Sequence, residues 1–175
     1  MSGHSHAKKV KHKKEATAAE RSKVFSKIAN EITVAARSGG KDAANNPRLR
    51  AAVERAREAN MPSDNVERAV RRGTGEDTGR QLEELLLEAL GPGNTALLIT
   101  AITDNRNRTL GEIRKIMRER QGKLVGEGGV RWMFDWQDGE WVPKSDCIVT
   151  ADEQTAQKVG ELVEALDEND AVQEI

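Results

Sequence analysis

Residues 73–79 read GTGEDTG, and this stretch divides the chain into two parts of different composition. Glycine and small polar residues without apolar periodicity are typical of a linker, which we place at residues 74–80. Residues 1–72 hold 17 Lys+Arg against 8 Asp+Glu, whereas residues 73–175 hold 11 against 21. The formal net charge of −1 therefore conceals a basic front part and an acidic back part. Clustered positive charge indicates a polyanionic partner, because Lys and Arg release counterions from phosphates.

The basic part before the linker predicts a three-helix domain over residues 16–73. Apolar residues recur there at three- and four-residue spacing, and Ser38-Gly39-Gly40 ends the first helix. Asn46 before Pro47 predicts the start of a second helix, and Ser63 begins a third that ends at Gly73. The apolar face of the first helix consists of Val24, Phe25, Ile28, Ile32, Ala35 and Ala36.

Residues 1–15 precede these helices and are predicted to form a flexible basic arm. The first 14 residues contain five Lys, three His and no acidic residue, so their mutual repulsion opposes a compact fold. Within this arm, the lysines form a dense cationic cluster.

The part after the linker, residues 81–175, predicts an α+β domain. Its elements follow the order β-β-α-β-β-α-β, and Gly91-Pro92-Gly93 and Asp138-Gly139 are turn signals. This order favours a ferredoxin-like open sheet with its helices on one face. The predicted strands are 82–90, 95–103, 130–136, 141–149 and 171–175, and the predicted helices are 105–121 and 152–166.

Composition narrows the classes of function. No apolar stretch approaches the roughly 20 residues of a membrane-spanning helix, and the lysine-rich N-terminus lacks the apolar run of a signal peptide. We therefore expect a soluble, cytoplasmic protein. The single cysteine, Cys147, cannot form an internal disulfide, which agrees with a reducing compartment. With three Trp, two Phe and no Tyr, base-stacking surfaces are hard to build, so we expect contact with the sugar-phosphate backbone.

The first candidates for phosphate contact are the lysines of the arm and the cations of the first two helices. They raise the local positive potential, and arginine adds a bidentate geometry that suits phosphate. The alternative is a solvated charged surface, with Arg48 and Arg55 paired to Glu54 and Glu58 on their own helix. The predicted nucleic-acid-binding residues of this group are Lys8, Lys9, Lys11, Lys13, Lys14, Arg21, Lys23, Lys27, Arg48, Arg50, Arg55 and Arg57.

A second candidate site follows the strand predicted at 95–103, where residues 104–109 read DNRNRT. The first backbone N–H groups of a helix attract anions, and Arg106 and Arg108 add positive charge there. We therefore predict that these two arginines also contact nucleic acid. The alternative is that Asp104 or Asn105 simply caps the helix.

Patterns for catalysis or metal binding are missing from the sequence. His4, His6 and His12 lie on the arm without the further rigid ligands that a zinc site needs. Neither glycine-rich segment, GTGEDTG nor GPGNT at 91–95, continues into the Lys-Ser/Thr of a phosphate-binding loop. No carboxylate pair has a spacing that indicates acid–base chemistry. We therefore expect no enzyme, no metal, no cofactor and no small-molecule substrate.

Several spaced motifs together resemble the YebC/PmpR family, over about residues 3–134. A weaker likeness returns at Trp141-Val142-Pro143 and over residues 161–175. The motifs are Gly3-His4-Ser5 with Lys8, Lys23-Val24-Phe25-Ser26-Lys27-Ile28, Asn46-Pro47-Arg48-Leu49-Arg50, Asn60-Met61-Pro62, Gly91-Pro92-Gly93 and Asp104-Asn105-Arg106-Asn107-Arg108-Thr109.

This resemblance implies a helical N-terminal domain and an α+β body into which family members insert a further α+β domain. Only a few residues around 137–140 stand at that place here, so the chain resembles a short form without the insertion and without the family's C-terminal tail. The resemblance further implies a DNA-binding transcriptional regulator or a ribosome-associated factor that relieves stalled translation, notably at proline runs. A mitochondrial relative activates translation of cytochrome oxidase subunit one.

Three functions stay open on the sequence. We favour a translation factor on the ribosome and its rRNA, because a basic arm that orders on binding suits folded RNA. A DNA-binding transcriptional regulator would place a helix in the major groove, and the second helix offers Arg48, Arg50 and Arg57 for that purpose. In the third, the acidic body is a protein-binding module and the arm is incidental. The target and the oligomeric state are not encoded in any motif found.

Overall fold

The structure is a computed structural model that describes residues 4–77, 81–137 and 140–175, with side chains from residue 18 onward. The chain forms two compact units, Met1–Arg80 and Gln81–Ile175. The division thus falls at the end of the predicted linker, 74–80, whose last three residues lie outside the described ranges.

The first unit consists of three helices, α1 (His4–Gly39), α2 (Pro47–Glu58) and α3 (Ser63–Gly73). The three-helix prediction is therefore confirmed. The start of α1 differs from the expectation, because the backbone of residues 4–15, predicted as an arm, continues the helix. No glycine or proline occurs between His4 and Ser38 to interrupt it. The flexibility of this segment stays a prediction.

The core of the first unit is built largely from small side chains. Alanines on all three helices allow close packing around Ile28, Ile32 and Leu49. Val24, predicted to face this core, is instead 45% exposed, and Phe25 is the partly buried residue at that end. The buried cluster comprises Ile28, Ile32, Ala35, Ala36, Leu49, Ala52, Ala56, Met61 and Ala69.

The third helix approaches α1 closely. The hydroxyl of Thr33 lies 3.1 Å from the carbonyl oxygen of Ala69, within hydrogen-bonding distance. At the end of α3, a Cβ atom on Gly73 would collide with the carbonyl oxygen of Thr33. Glycine is therefore required at residue 73 by the distance between the two helices.

The buried side chain of Asn46 joins the end of α1 to the start of α2. It is 4% exposed, and its Nδ2 donates to the carbonyl oxygens of Ala35, at 2.8 Å, and Gly40, at 2.9 Å. Its Oδ1 accepts a hydrogen bond from the backbone N–H of Leu49 at 3.0 Å, as the predicted cap requires. One amide thus caps the first turn of α2 and also bonds two carbonyl groups at the end of α1.

In its described residues, 81–137 and 140–175, the second unit combines six strands with two α-helices. The main sheet has four antiparallel strands in the order β3-β1-β2-β6. The predicted α+β fold class is confirmed. The elements are β1 (Glu83–Leu90), β2 (Ala96–Thr103), α4 (Arg106–Glu119), β3 (Lys123–Leu124), β4 (Phe134–Gln137), β5 (Glu140–Pro143), α5 (Glu153–Asp167) and β6 (Val172–Glu174).

Both helices of this unit cover the same face of the sheet. Alternate residues of β1 and β2 point to that face, as the period of two in a strand requires. Ile113 and Met117 from α4 and Leu162 and Leu166 from α5 pack against them, and all four are completely buried. The strand residues of this cluster are Leu85, Leu87, Ala89, Leu97, Ile99, Ala101 and Val172.

The hairpin after α4 differs from the prediction of a single sheet. Within the described ranges, β4 and β5 pair only with each other, and the short strand β3, which was not predicted, forms the sheet edge beside β1. A two-residue strand shows no alternation, so the sequence pattern could not indicate it. Val130, predicted to start a strand, instead precedes a 3-10 turn at Arg131–Met133. The predicted turn at 138–139 lies outside the described residues.

The other face of β1 carries a buried carboxylate, Glu88, which is 5% exposed. Its oxygens accept hydrogen bonds from the backbone N–H groups of Gly128 and Val130, each at 2.7 Å, and of Arg131 at 2.9 Å. Burial alone would raise the pKa of Glu88, but these three hydrogen bonds and the charge of Arg131 together lower it. The carboxylate therefore stays ionised and holds the loop ahead of β4 against the sheet.

Replacing Asn46 with alanine should destabilise the first unit by about 2 to 3 kcal/mol, because a helix cap is lost together with the two hydrogen bonds that the amide donates to Ala35 and Gly40. Chemical denaturation of the full chain, followed by circular dichroism at helical wavelengths, measures this loss. Asn45→Ala is the matched control, since Asn45 is exposed and its side chain donates a hydrogen bond to the exposed carboxylate of Asp42 at 2.7 Å. An equal effect of the two substitutions would contradict the assigned role of Asn46.

Replacing Glu88 with glutamine should destabilise the second unit by about 2 kcal/mol at neutral pH, because an amide cannot accept three charge-assisted hydrogen bonds. The folded pKa of Glu88 lies below 4.5, so its contribution is present above that pH and is lost as the pH falls through the folded pKa. Tryptophan fluorescence follows this unit, because all three Trp lie in it.

The acid-dependent part of the unfolding free energy should therefore be smaller in Glu88→Gln than in the parent chain. Glu84→Gln, an exposed carboxylate on the same strand, provides the control. Identical pH profiles for the parent and Glu88→Gln would contradict this account.

Candidate nucleic-acid interface

The five lysines at positions 8, 9, 11, 13 and 14 lie on the backbone of α1, while their side chains belong to the part of the chain that the structure does not describe. With 36 residues and a rise of about 1.5 Å per residue, α1 is about 54 Å long. Among the residues of α1 with described side chains, which begin at residue 18, Phe25 is the first that packs into the core. The lysine positions lie ahead of Phe25 on the same helix.

The next three predicted contact residues on α1, Arg21, Lys23 and Lys27, differ in their exposure to solvent. Arg21 is exposed, whereas Lys23 and Lys27 are half-buried. The two lysines are four residues apart, so they lie on the same side of the helix. All three remain predicted contacts, and the structure adds their positions on one continuous helix.

The arginines of α2 lie on two flanks of the helix and not on one face. At 100° per residue, Arg48 and Arg55 fall on one side and Arg50 and Arg57 on the other. Leu49, Ala52 and Ala56 lie on the side of α2 that faces the core. Glu54 and Glu58 lie on the opposite, outer side, between the two pairs of arginines. The outer side of α2 is consequently mixed in charge.

Arg55 and Arg50 contact other segments of the first unit. Arg55 forms an ion pair with Glu31 of α1, with 2.8 Å between Nη2 and the carboxylate oxygen, so its partner is on another helix and not Glu58. Arg50 donates from Nε to the carbonyl oxygen of Ala43 at 3.0 Å and from Nη2 to that of Ala44 at 2.8 Å. Arg50 thus stabilises the turn before α2, although its side chain remains exposed.

The loop at 104–109 has the helix-capping geometry that is the alternative to an anion site. Asn105 is the N-cap of α4, and its Oδ1 accepts a hydrogen bond from the backbone N–H of Arg108 at 3.1 Å. Below the cap, the buried hydroxyls of Thr103 and Thr109 are 2.9 Å apart and join strand to helix. The loop is therefore fixed at both its ends.

Both arginines of this loop lie beside carboxylates. Arg108 is 2.7 Å from Asp104 and 3.8 Å from Glu112, and Arg106 is 3.9 Å from Glu83. Acidic neighbours reduce the positive potential that a phosphate would meet. Nucleic-acid contact by Arg106 and Arg108 stays a prediction.

Helix α3 contributes cations that the sequence reasoning did not include. Arg68 and Arg71 are exposed, and Arg68 donates to the side chain of Asn65 at 3.3 Å. Three-residue spacing puts them on one side of α3, which is the signal that could have indicated them. They extend the set of exposed cations in the first unit to all three helices.

The described residues also bear on metal binding, on the reactivity of the thiol and on membrane-spanning helices. In those ranges, no three His, Cys, Asp or Glu side chains come together as metal ligands would. Partial burial and the neighbouring carboxylate of Asp146 raise the pKa of Cys147, so its thiol stays protonated at neutral pH. Among the described helices, none has the length and apolar character needed to cross a membrane.

Sequence comparison relates both units to one protein family. A profile described as TACO1/YebC protein N-terminal domain matches residues 5–76, and one described as TACO1/YebC second and third domain matches residues 82–137. The second match ends within the β4–β5 hairpin.

Individual proteins are similar over most of this chain. A probable transcriptional regulatory protein of Petrotoga mobilis is 46% identical over 169 residues, which make up 97% of this chain and 67% of that protein. A relative of the same description from Geobacter sulfurreducens is 52% identical over 77% of this chain and 55% of its own length. The chain thus spans little more than half to two thirds of these relatives.

A solved structure has the same fold. The crystal structure of the conserved hypothetical protein Aq1575 from Aquifex aeolicus matches with a TM-score of 0.80 at 35% sequence identity. The match covers 89% of this chain and 88% of that one.

Proposed function

The chain belongs to the TACO1/YebC family, and from this premise we propose that it is a non-enzymatic, nucleic-acid-binding regulator of gene expression. Its first unit contacts the sugar-phosphate backbone of ribosomal RNA, and it acts as a ribosome-associated translation factor that relieves stalling. The relatives are described as regulatory proteins, which supports the regulatory class.

The observation that carries this proposal is the continuous helix α1, on whose backbone the dense lysine positions precede Phe25, the first described residue that packs into the core. Positions 8, 9, 11, 13 and 14 step around the helix axis at 100° per residue, so they occupy its whole circumference. Lysine positions spread around a helix axis in this way suit phosphates that approach from several directions, as they do in folded RNA.

The charge layout of α2 favours RNA over a major-groove mode. A recognition helix presents donors to base edges from its outer side, whereas Glu54 and Glu58 occupy that side of α2. Both carboxylates would lie near phosphates and base acceptors in a major groove. Backbone contact through α1 avoids this repulsion.

The second candidate function is a DNA-binding transcriptional regulator. The names of the similar proteins favour it, since both are described as probable transcriptional regulatory proteins. The electrostatic attraction to phosphates is common to the two functions, so binding measurements on both nucleic acids are needed to choose between them.

Replacing Lys8, Lys9, Lys11, Lys13 and Lys14 with glutamine should remove most of the affinity for folded ribosomal RNA and for duplex DNA. Each lost phosphate contact lowers the slope of log affinity against log salt by about 0.9 on duplex DNA. Titrations of both probes at several salt concentrations measure this slope. In the parent chain, folded ribosomal RNA should bind more tightly than duplex DNA of mixed sequence at equal salt.

The matched control replaces Lys115, Lys123, Lys144 and Lys158 of the second unit with glutamine, which changes the net charge by a similar amount. This control should leave the slope unchanged. An unchanged slope in the five-lysine variant would contradict the proposed contact, and tighter binding to duplex DNA would favour the transcriptional alternative.

A further inference from the structure

All three tryptophans of the chain lie within the ten residues 132–141, in and beside the β4–β5 hairpin. Trp132 and Trp136 are 58% and 60% exposed. The low aromatic content had argued against a base-stacking surface, but the fold collects most of the aromatic residues in one place. Large apolar side chains left this exposed form a surface that a ligand can cover.

One face of the hairpin is entirely apolar. Phe134 is paired with Pro143 and Trp136 with Trp141, and paired residues of an antiparallel ladder share a face. We call these four residues the tryptophan face. The residues of the opposite face are Asp135, Gln137, Glu140 and Val142.

The rings of the tryptophan face are held in a defined arrangement. Trp136 and Trp141 meet edge to face, with centroids 5.0 Å apart and planes inclined at 65°. The guanidinium of Arg131 lies over the ring of Trp141, 4.8 Å from its centroid. Arg131 is itself positioned by its backbone hydrogen bond to the buried Glu88. The exposed ring of Trp136 is therefore presented from an ordered support.

The size of this surface suits small flat groups. A whole Trp side chain offers roughly 250 Å², so the exposed 60% of Trp136 presents about 150 Å². A stable protein interface buries about 800 Å² on each partner, well beyond this area. One or two nucleobases, which stack on aromatic rings irrespective of sequence, match the available area.

We propose that the tryptophan face stacks unpaired nucleobases of single-stranded RNA. This inference rests on the proposed function and adds a base-binding site in the second unit to the backbone contacts of the first.

The charges around the hairpin favour bases over phosphates as its ligands. Asp135 and Glu140 are exposed on the opposite face, and Lys144 is 3.7 Å from Asp135. Since acidic groups offset the nearby cations, the phosphate backbone gains little here. Binding at the tryptophan face should consequently depend less on salt than binding by α1.

The intrinsic fluorescence of the full chain tests this directly, because every Trp is in this region. A short single-stranded RNA of mixed sequence should quench the fluorescence on binding. The same sequence as an RNA duplex, whose bases are already stacked, should bind the cationic helices without quenching. Absence of quenching by the single strand, despite binding, would overturn the inference.

Substitutions of Trp136 give the second readout. Trp136→Ala should weaken binding of the single strand by about 5- to 150-fold, the range for loss of one stacked base. Trp136→Phe should stay within a few-fold of the parent, since it keeps an aromatic ring. Both should leave duplex affinity unchanged, and Ile175→Ala, another exposed apolar residue, should leave both affinities unchanged.

The outcomes separate this inference from the proposed function. If the parent chain binds no RNA at all, both the proposed function and the role of the tryptophan face are overturned. Binding of single strand and duplex with full affinity in Trp136→Ala would overturn only the tryptophan face. Quenching by a proline-rich peptide and not by RNA would assign the face to a peptide and overturn its role in base stacking.

Discussion

The position of the cationic helices depends on the buried amide of Asn46. Its hydrogen bonds to Ala35, Gly40 and Leu49 join the end of α1 to the beginning of α2. The alanine-rich packing between these helices is non-directional and would tolerate several arrangements, whereas an amide with two donors and an acceptor fixes one. An uncharged side chain therefore determines where the exposed charges of the first unit lie.

The two units divide the charge between them. Met1–Arg80 holds 18 Lys+Arg against 10 Asp+Glu, and Gln81–Ile175 holds 10 against 19. The positive charge of the first unit supports the proposed attraction to phosphates, and the negative charge of the second unit opposes indiscriminate adhesion to nucleic acid. In the second unit, Glu88 has a structural role like that of Asn46, because it satisfies main-chain donors of the loop that leads to the tryptophan face. The proposed division is thus backbone contact by the first unit and base contact by the second.

Local signals in the sequence predicted most elements but not the contacts between them. Helix periodicity, the Asn46 cap and the alternation of β1 and β2 are short-range properties, so the three-helix unit and the α+β class followed from them. The separate β4–β5 sheet and the Arg55–Glu31 ion pair depend on residues distant in sequence, which no local pattern encodes. The tryptophan face was not predicted for a related reason. The composition gives the number of tryptophans but does not show that strand pairing places two of them together.

Ultraviolet crosslinking of the full chain to nucleic acid in a cell lysate, with sequencing of the attached nucleic acid and mapping of the crosslinked peptides, tests the central claim most directly. The account predicts ribosomal RNA joined to peptides from α1 and α2, within residues 4–58, and to peptides of the tryptophan face, within residues 132–143. Crosslinks confined to the second unit, or predominantly to genomic DNA, would contradict it.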